Sequence, residues 1–249
     1  MPFTIRSLAV TDSTNDDAAA LLGRPDAAGT VIVADYQRAG RGRHARAWIA
    51  PPGSSLLFTA ILPRTVASTD LWATTFWTAL GVADGIEAAT GVRAGLQWPN
   101  DLLLGGRKCC GILCVSRVNG DEAWVGCGVG LNVVRPPGDA ALEAIAPPPA
   151  FLSDGLASAP SRDAVLATIL AAFERRLGAL RDPAGIARAW EARAGLSGTP
   201  YRLLVDGESA PLDAIARSID GDGALVVSAA NGRERRIALA DARVLRDGG

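Results

Sequence analysis

Two apolar runs enclose a short segment rich in arginine and glycine, and this pattern constrains the fold more than any other feature of the chain. The runs are "TVIVAD" at residues 30–35 and "SSLLFTAIL" at residues 54–62, and both have the length and apolar content of buried strands. Between them, "QRAGRGRHARAW" at residues 37–48 carries four arginines and two glycines. We therefore predict a sheet in which two strands lead into and out of a cationic loop.

Helices are predicted both before and after this strand pair in the sequence. Apolar residues recur every three or four positions in residues 68–90 and again in residues 162–180, a spacing typical of helices that pack on a sheet. A shorter helix is predicted to begin near Thr14, with Ser13 or Thr14 as its N-cap and two aspartates in its first turn.

Further strands complete the prediction. Residues 102–104 and 111–115 flank a Gly-Gly turn and are expected to be antiparallel neighbours, and "EAWVGCGVGLNV" at residues 122–133 supplies another strand. After Gly195 the chain changes to short β runs, "YRLLV", "ALVVS" and "RRIAL", separated by "DGDG" and "NG" turns. We predict an α+β fold, with a mixed, mostly antiparallel sheet packed with helices in residues 1–195 and a small β-barrel-like domain in residues 196–249.

The positive charge of the loop is local, because the whole chain has a formal net charge of −1. No Asp or Glu lies between Tyr36 and Thr69, a stretch that holds five arginines. This distribution indicates a small anionic ligand, such as a phosphate or carboxylate, and argues against nucleic acid or an anionic membrane as a partner. Without a secretory signal or an apolar run of membrane-spanning length, the chain is expected to be cytoplasmic.

Lysine is almost absent, since Lys108 is the only one among 25 lysine and arginine residues. A compact ammonium and a planar guanidinium are not interchangeable at a reacting centre, so Lys108 is a candidate catalytic cation, with chance as the alternative. The four cysteines lack the paired spacing of zinc ligands and are predicted to be reduced core thiols.

The tetrapeptide "WPND" at residues 98–101 is a second candidate feature. Pro99 favours an extended conformation at Trp98, after which Asn100 and Asp101 present side-chain oxygens. Asp101 could hold Mg²⁺ that accompanies phosphates, while an ordinary Asx turn is the alternative. "GCGVGL" at residues 126–131 meets the dinucleotide-binding pattern only approximately, and the Arg/Gly loop is not a Walker A loop.

Four stretches resemble, in the same order, the biotin–protein ligase family in its monofunctional form. They are "DSTN" at 12–15, "QRAGRGR" with Trp48 beyond it, "WPND" followed by "RKCCGIL", and "GVGLN" at 128–132, while "IDGDGALVV" at 219–227 resembles the family's SH3-like C-terminal domain. The resemblance implies a class II synthetase-like catalytic domain and an SH3-like barrel. It also implies that biotin and ATP, with Mg²⁺, form biotinyl-5′-AMP, from which biotin passes to a lysine of a biotin carboxyl carrier domain.

The resemblance also implies roles for individual residues. Lys108, Arg43 and Asp101 would be catalytic, with Lys108 between the biotin carboxylate and the α-phosphate and Asp101 at the magnesium ion or the phosphates. The implied biotin-binding residues are Ser13, Thr14, Asn15, Gln37, Gly40, Arg41, Gly111 and Leu113. The implied ATP- or adenylate-binding residues are Arg41, Gly42, Arg43, Arg46, Trp48, Asn100, Asp101, Lys108 and Asn132. We expect residues 39–48 to be mobile without ligand and to order over the adenylate.

The chain departs from the family pattern at Gln97, where the family usually has lysine, and also at His44, Ala45 and Cys110. Loss of one cation–phosphate contact is expected to cost about 1–3 kcal/mol and to slow adenylation. Two alternatives stay open: a lipoate- or octanoate-type ligase on the same fold, and a biotin-binding relative without catalysis. "DSTN" and Gln37 favour biotin, because its ureido ring needs polar partners. No DNA-binding domain is expected, and the sequence leaves open whether the chain forms a homodimer.

Overall fold

The computed structural model describes residues 2–138 and 140–245. Its larger sheet has eight strands, which are β1 (Thr4–Thr11), β2 (Thr30–Gln37), β3 (Ser55–Ile61), β4 (Val66–Ala67), β5 (Gly95–Gln97), β6 (Asp101–Leu104), β7 (Arg107–Asn119) and β8 (Glu122–Asn132). The strand order is β1-β2-β3-β8-β7-β6-β5, and β4 pairs with β8. Only the β1–β2 pairing is parallel among these described strands, so the predicted mixed, mostly antiparallel sheet is confirmed.

Helices lie on both faces of this sheet, the first of them on the face opposite to the two longest ones. They are α1 (Thr14–Ala19), α2 (Leu71–Thr90), α3 (Ala140–Glu143), α4 (Arg162–Arg176) and α5 (Pro183–Ala194). The predicted starts of α1 and α4 are confirmed, while the segment predicted to end at residue 180 leaves the α-helix at Arg176 and continues as a 3₁₀ turn. α5 was not predicted, although its sequence carries the signals of a helix start: Pro183 at the first position and an Asp182 side chain that accepts from the Gly185 N–H.

Two glycines allow α2 and α4 to pack closely. A Cβ at Gly81 would lie 2.4 Å from the Phe173 ring, and one at Gly85 would lie 2.5 Å from the Cα of Ile169. Any larger residue at either position would push the helices apart. Phe76 of α2 is fully buried, as expected of a helix that packs on the sheet.

The Gly-Gly hairpin between β6 and β7 is confirmed, and its register differs from the prediction. Both turn glycines have positive φ, as a tight two-residue turn requires. Leu104 pairs with Arg107 and Asp101 pairs with Gly111. The residues of β7 after Gly111 therefore pair with β8 alone, whereas the sequence placed 111–115 opposite 102–104. The hairpin turns immediately at the two glycines, which brings Lys108 back beside β6.

A second, five-stranded antiparallel sheet follows α5. Its strands are β9 (Pro200–Val205), β10 (Leu212–Ile219), β11 (Leu225–Ala229), β12 (Glu234–Ile237) and β13 (Ala242–Val244), in the order β12-β11-β10-β9-β13. The sequence predicted a small β domain here but did not identify β10 or β13. Closure into an SH3-like barrel and the domain boundary at 195/196 stay predictions. Buried apolar residues of both sheets belong to one continuous cluster, so the second sheet packs directly on the first part of the chain.

The cysteines are reduced, as the sequence predicts. All four cysteines are free thiols, and burial raises the pKa of Cys109 to about 12. No helix among the described residues is long and apolar enough to cross a membrane.

Candidate active site

A cavity of about 370 Å³ opens where the N-terminus of α1, the Arg/Gly loop and strands β6, β7 and β8 meet. It brings together nearly all the residues singled out from the sequence, which are Ser13, Thr14, Asn15, Gln37, Arg41, Gly42, Arg43, Arg46, Trp48, Asn100, Asp101, Lys108, Gly111, Leu113 and Asn132. Gly40 is the exception: it is buried and does not line the cavity, and a Cβ there would be 2.7 Å from the main-chain oxygen of Trp48. Their individual assignments to biotin or ATP stay predictions.

One wall of the cavity is a network of uncharged hydrogen-bonding groups. The Oε1 atom of Gln37 accepts from the Thr14 main-chain N–H at 2.8 Å and from the Thr14 hydroxyl at 3.0 Å. Asn15 donates from Nδ2 to the Leu113 carbonyl at 3.0 Å. Because Gln37 uses its oxygen for Thr14, its amide NH₂ is the group left to donate elsewhere.

Thr59, which the sequence did not single out, supports this wall from behind. It is completely buried on β3, and its hydroxyl lies 2.7 Å from Oδ1 of Asn15 and 2.9 Å from the hydroxyl of Thr14. A threonine inside an apolar strand carries no sequence signal of such a role, since β-branched residues are common there for packing alone.

Glycines on β7 and β8 form the floor. A Cβ at Gly111 would lie 3.0 Å from the Trp48 ring, and one at Gly130 would lie 2.6 Å from it. The indole of Trp48 therefore rests directly on the strands, which any larger residue at Gly130 would prevent. Its Nε1 atom is buried and has no hydrogen-bond partner among the residues of 2–138 and 140–245.

Lys108 and Asp101 stand together on the β6–β7 hairpin. The Lys108 ammonium is 2.6 Å from Oδ1 of Asp101 and 5.5 Å from the centre of the Trp48 ring. The neighbouring Asn100 donates from Nδ2 to the Ile112 carbonyl at 2.7 Å, a contact that joins this corner to β7. The chain's only lysine is thus placed in the cavity by an ion pair and an aromatic face.

The corner that carries Asn100 and Asp101 is fixed by the second sheet. The main-chain N–H of Trp98 donates to the Tyr201 hydroxyl at 3.2 Å, and the Trp98 indole donates to the Gly223 carbonyl at 3.3 Å. Trp98 is fully buried, so the second sheet determines where this corner lies.

The Arg/Gly loop folds back on itself and on the second sheet. The Gly42 N–H donates to the Arg46 carbonyl at 2.7 Å, and the guanidinium of Arg41 pairs with Asp16 at 2.9 Å. His44 and Ala45 both have positive φ, at 53° and 56°, and the left-handed region favours glycine. Ala45 therefore holds a conformation that a glycine would adopt at lower cost.

The guanidinium of Arg43 lines the cavity but is held by hydrogen bonds to other parts of the protein. Its guanidinium donates to the carbonyls of Leu239 and Ala242, the latter at 3.4 Å, and to Oδ1 of Asn100 at 3.5 Å. Burial lowers its pKa, against the opposing attraction of Asp101. Arg43 thus connects the loop to the second sheet in this structure.

The Asn132 amide is also committed to structural contacts. Its Nδ2 donates to the Ala150 carbonyl at 3.1 Å, and its Oδ1 accepts from the Ser55 hydroxyl at 3.3 Å. These bonds hold the segment that follows β8 against the cavity.

Comparisons with known proteins agree with this geometry. The sequence profile of the Biotin/lipoate A/B protein ligase family matches residues 7–132. The chain belongs to this family. It is 34% identical over 236 residues to the biotin–[acetyl-CoA-carboxylase] ligase of Paracoccus denitrificans, covering 91% of this chain and 95% of that protein. It is 32% identical over 227 residues to the enzyme of the same name from Mycobacterium tuberculosis, covering 88% and 80%.

A solved structure shares the fold of this family member over nearly its whole length. It is the biotin protein ligase of Aquifex aeolicus in complex with biotin and ATP, with a TM-score of 0.77, 21% identity, and coverage of 98% of this chain and 99% of that one. At this identity the likeness establishes the fold, including the second sheet.

Several cavity residues of this biotin/lipoate ligase family member were missed from sequence. The Pro- and Ala-rich segment after β8 contributes apolar side chains, which are Leu142, Ile145, Ala146, Pro147 and Pro149. The second sheet contributes Arg243 and Val244 of β13. The apolar residues inside a proline-rich loop were an available signal, whereas nothing local marks Arg243.

Proposed function

We propose that this chain is an ATP-dependent biotin–protein ligase. It joins biotin to ATP to give biotinyl-5′-AMP and pyrophosphate, and then transfers biotin to a lysine of a biotin carboxyl carrier domain. The observation that carries the proposal is the cavity itself, in which a wall of uncharged amide and hydroxyl groups faces the Lys108–Asp101 pair. Membership of the family and the names of the two ligases that cover most of the chain support it.

The uncharged wall suits the ureido ring of biotin. A cyclic urea is neutral and both donates and accepts hydrogen bonds, and Thr14, Asn15 and Gln37 offer groups of both kinds. A fatty acyl chain would cover the Gln37 amide NH₂ without offering it an acceptor, a cost that disfavours lipoate or octanoate. This argument separates biotin from the other substrates of the same fold.

The cationic part of the cavity suits adenylation. A carboxylate oxygen of biotin attacks the α-phosphorus, a P–O bond forms, and the bond to the β-phosphate oxygen breaks to release pyrophosphate. Both reactants are anions, so positive groups must offset their repulsion and stabilise the charge that develops. Lys108 supplies a compact charge held in place by Asp101 at 2.6 Å, and it can turn from that carboxylate to the incoming oxygens.

The second half-reaction needs the mixed anhydride to survive until a carrier arrives. The amine of the carrier lysine attacks the acyl carbon, an amide bond forms, and AMP leaves. Trp48 and the Arg/Gly loop stand over the strands that form the floor, so they can exclude water from the adenylate. The partner is a biotin carboxyl carrier domain. A cytoplasmic location, the absence of nucleic-acid binding and the oligomeric state stay predictions.

Magnesium fits this site as a companion of ATP. Mg²⁺ is commonly held by one or two carboxylates together with substrate phosphates, and among the side chains that the structure describes Asp101 is the one carboxylate that lines the cavity. Within the described residues no cluster of three or more His, Cys, Asp or Glu could form a metal site of its own. Asp101 would therefore hold the ion only together with the nucleotide, where the ion would neutralise phosphate charge.

ATP–pyrophosphate exchange with purified protein and magnesium tests the proposal, because it isolates adenylation from the carrier. We expect exchange with biotin and none with lipoate or octanoate, and loss of exchange in Lys108→Gln. Exchange with lipoate alone would assign the chain to the other branch of the family. Biotin binding by calorimetry without exchange would indicate a binding protein.

Gln97→Lys restores the lysine that the family usually has at this position and tests whether its absence weakens ATP binding. Gln97 on β5 pairs with Asp101 on β6. A lysine at position 97 would therefore add a cation next to the β6–β7 hairpin that carries Asp101 and Lys108, the catalytic hairpin. We expect a lower KM for ATP in this variant and an unchanged KM for biotin.

A further inference from the structure

Among residues 2–138 and 140–245, five arginine and lysine side chains line the cavity, but most of them already have partners. Arg41 and Lys108 are held in ion pairs, and Arg43 is hydrogen-bonded to main-chain carbonyls. The guanidinium groups of Arg46 and Arg243 make no hydrogen bond or ion pair with any residue that the structure describes. These two cations can therefore bind an anion without first giving up a protein partner.

Arg243 is the unexpected member of this pair, because it belongs to the second sheet. It lies on β13, where its main chain pairs with Leu204 of β9, and its neighbour Ala242 is fully buried. The pairing and the buried neighbour fix the main chain of β13, so the guanidinium extends from a rigid strand and not from a loop.

Contacts through Arg43 place β13 beside the catalytic hairpin. The carbonyl of Ala242 accepts from Arg43 at 3.4 Å, and the same guanidinium lies 3.5 Å from Oδ1 of Asn100. Asn100 precedes Asp101, whose carboxylate pairs with the Lys108 ammonium. Arg243 thus forms part of the cavity wall next to the groups proposed to act at the α-phosphate.

We propose that Arg243 binds the β- and γ-phosphates of ATP, the part of the nucleotide that leaves as pyrophosphate. The inference rests on the proposed function. In phosphoryl-type displacements the attacking and leaving oxygens lie roughly in line, so the leaving group needs its own cations, separate from the one at the attacking carboxylate. A guanidinium presents a fork of donors that matches phosphate oxygens, which suits Arg243 for the leaving group. The second sheet then takes part directly in adenylation.

Three variants test the assignment. Arg243→Gln removes the charge, Arg243→Lys keeps it without the fork, and Arg217→Gln is the matched control. Arg217 is exposed on β10 of the same sheet and does not line the cavity. The measurements are KM for ATP, pyrophosphate and biotin in the exchange reaction, the rate of transfer from preformed biotinyl-5′-AMP to a carrier domain, and the melting temperature.

We expect Arg243→Gln to raise KM for ATP and for pyrophosphate about 10- to 100-fold, the range for loss of a charge-assisted contact. The KM for biotin and the transfer rate should not change, because biotinyl-5′-AMP lacks the β- and γ-phosphates. Arg243→Lys should fall between wild type and Arg243→Gln, and Arg217→Gln should match wild type.

Wild-type KM values for ATP and pyrophosphate in Arg243→Gln would overturn the proposal. A parallel loss of transfer from supplied biotinyl-5′-AMP would also overturn it, by indicating a structural or carrier-binding role. If the wild-type protein catalyses no exchange, the proposed function fails, and calorimetry with Mg·ATP and with pyrophosphate then tests Arg243 separately. Weaker binding of both in Arg243→Gln would support the assignment, and equal binding would refute it.

Discussion

Replacement of Thr59 by valine tests whether the buried hydroxyl behind the cavity positions the biotin wall. Valine has nearly the same shape, so the change removes the hydroxyl that lies 2.7 Å from Asn15 and 2.9 Å from Thr14 and leaves the packing of β3 intact. Thr59 is completely buried and Asn15 nearly so, so water cannot replace the lost bond. The Oδ1 atom of Asn15 then either stays without this donor or turns away from its present position.

The magnitude follows from the cost of a buried acceptor that has lost its donor, about 1–3 kcal/mol. If Asn15 stays in place, this cost appears in the free energy of unfolding. If Asn15 turns away, biotin must restore its position, and the same cost appears as a rise in the Kd for biotin of about 5- to 150-fold. The KM for ATP should not change, because Lys108 and Asp101 lie on a separate hairpin.

Calorimetric titration with biotin and urea denaturation measure the two quantities, and Thr59→Ser is the matched control. Serine keeps the hydroxyl and loses one buried methyl group, so it should lose about 1 kcal/mol of stability and keep its affinity for biotin. A Thr59→Val protein that equals wild type in both stability and biotin affinity would refute the reasoning.

The remaining predictions concern the floor, the loop and the single lysine. Gly130→Ala places a methyl group 2.6 Å from the Trp48 ring, so the indole should be displaced and biotinyl-5′-AMP should escape faster in a trap assay, while Gly178→Ala, in open space, should behave as wild type. Trypsin should cleave within residues 39–48 more slowly when biotin and ATP are bound, and equal rates would contradict ordering of the loop. Prolonged incubation with biotin and ATP should modify only Lys108 or the N-terminal amine, and mass spectrometry that located biotin elsewhere would contradict this.

Local features of the fold could be predicted because they depend on neighbouring residues. The start of α1 near Thr14 follows from capping and charge, and the β6–β7 turn follows from two consecutive glycines that accept positive φ. The predicted register of that hairpin was wrong, because the number of residues in the turn decides which residues of the two strands pair, and here the turn contains only the two glycines. α5 was missed although Asp182 and Pro183 mark its start, because only Ile186 and Trp190 supply large apolar side chains to its buried face.

The sequence by itself determined the chemistry of the site: an arginine- and glycine-rich loop, one lysine, a "WPND" corner and the uncharged groups at residues 12–15 and at Gln37. Only the tertiary structure decided which of these groups are committed and which are available. Arg43 is tied to carbonyls 196 and 199 residues away, and Arg243 reaches the same cavity from the opposite end of the chain. Residue type and short-range spacing are written along the chain, whereas contacts at such separations arise only when the two sheets pack on one common core, so they leave no local pattern to read.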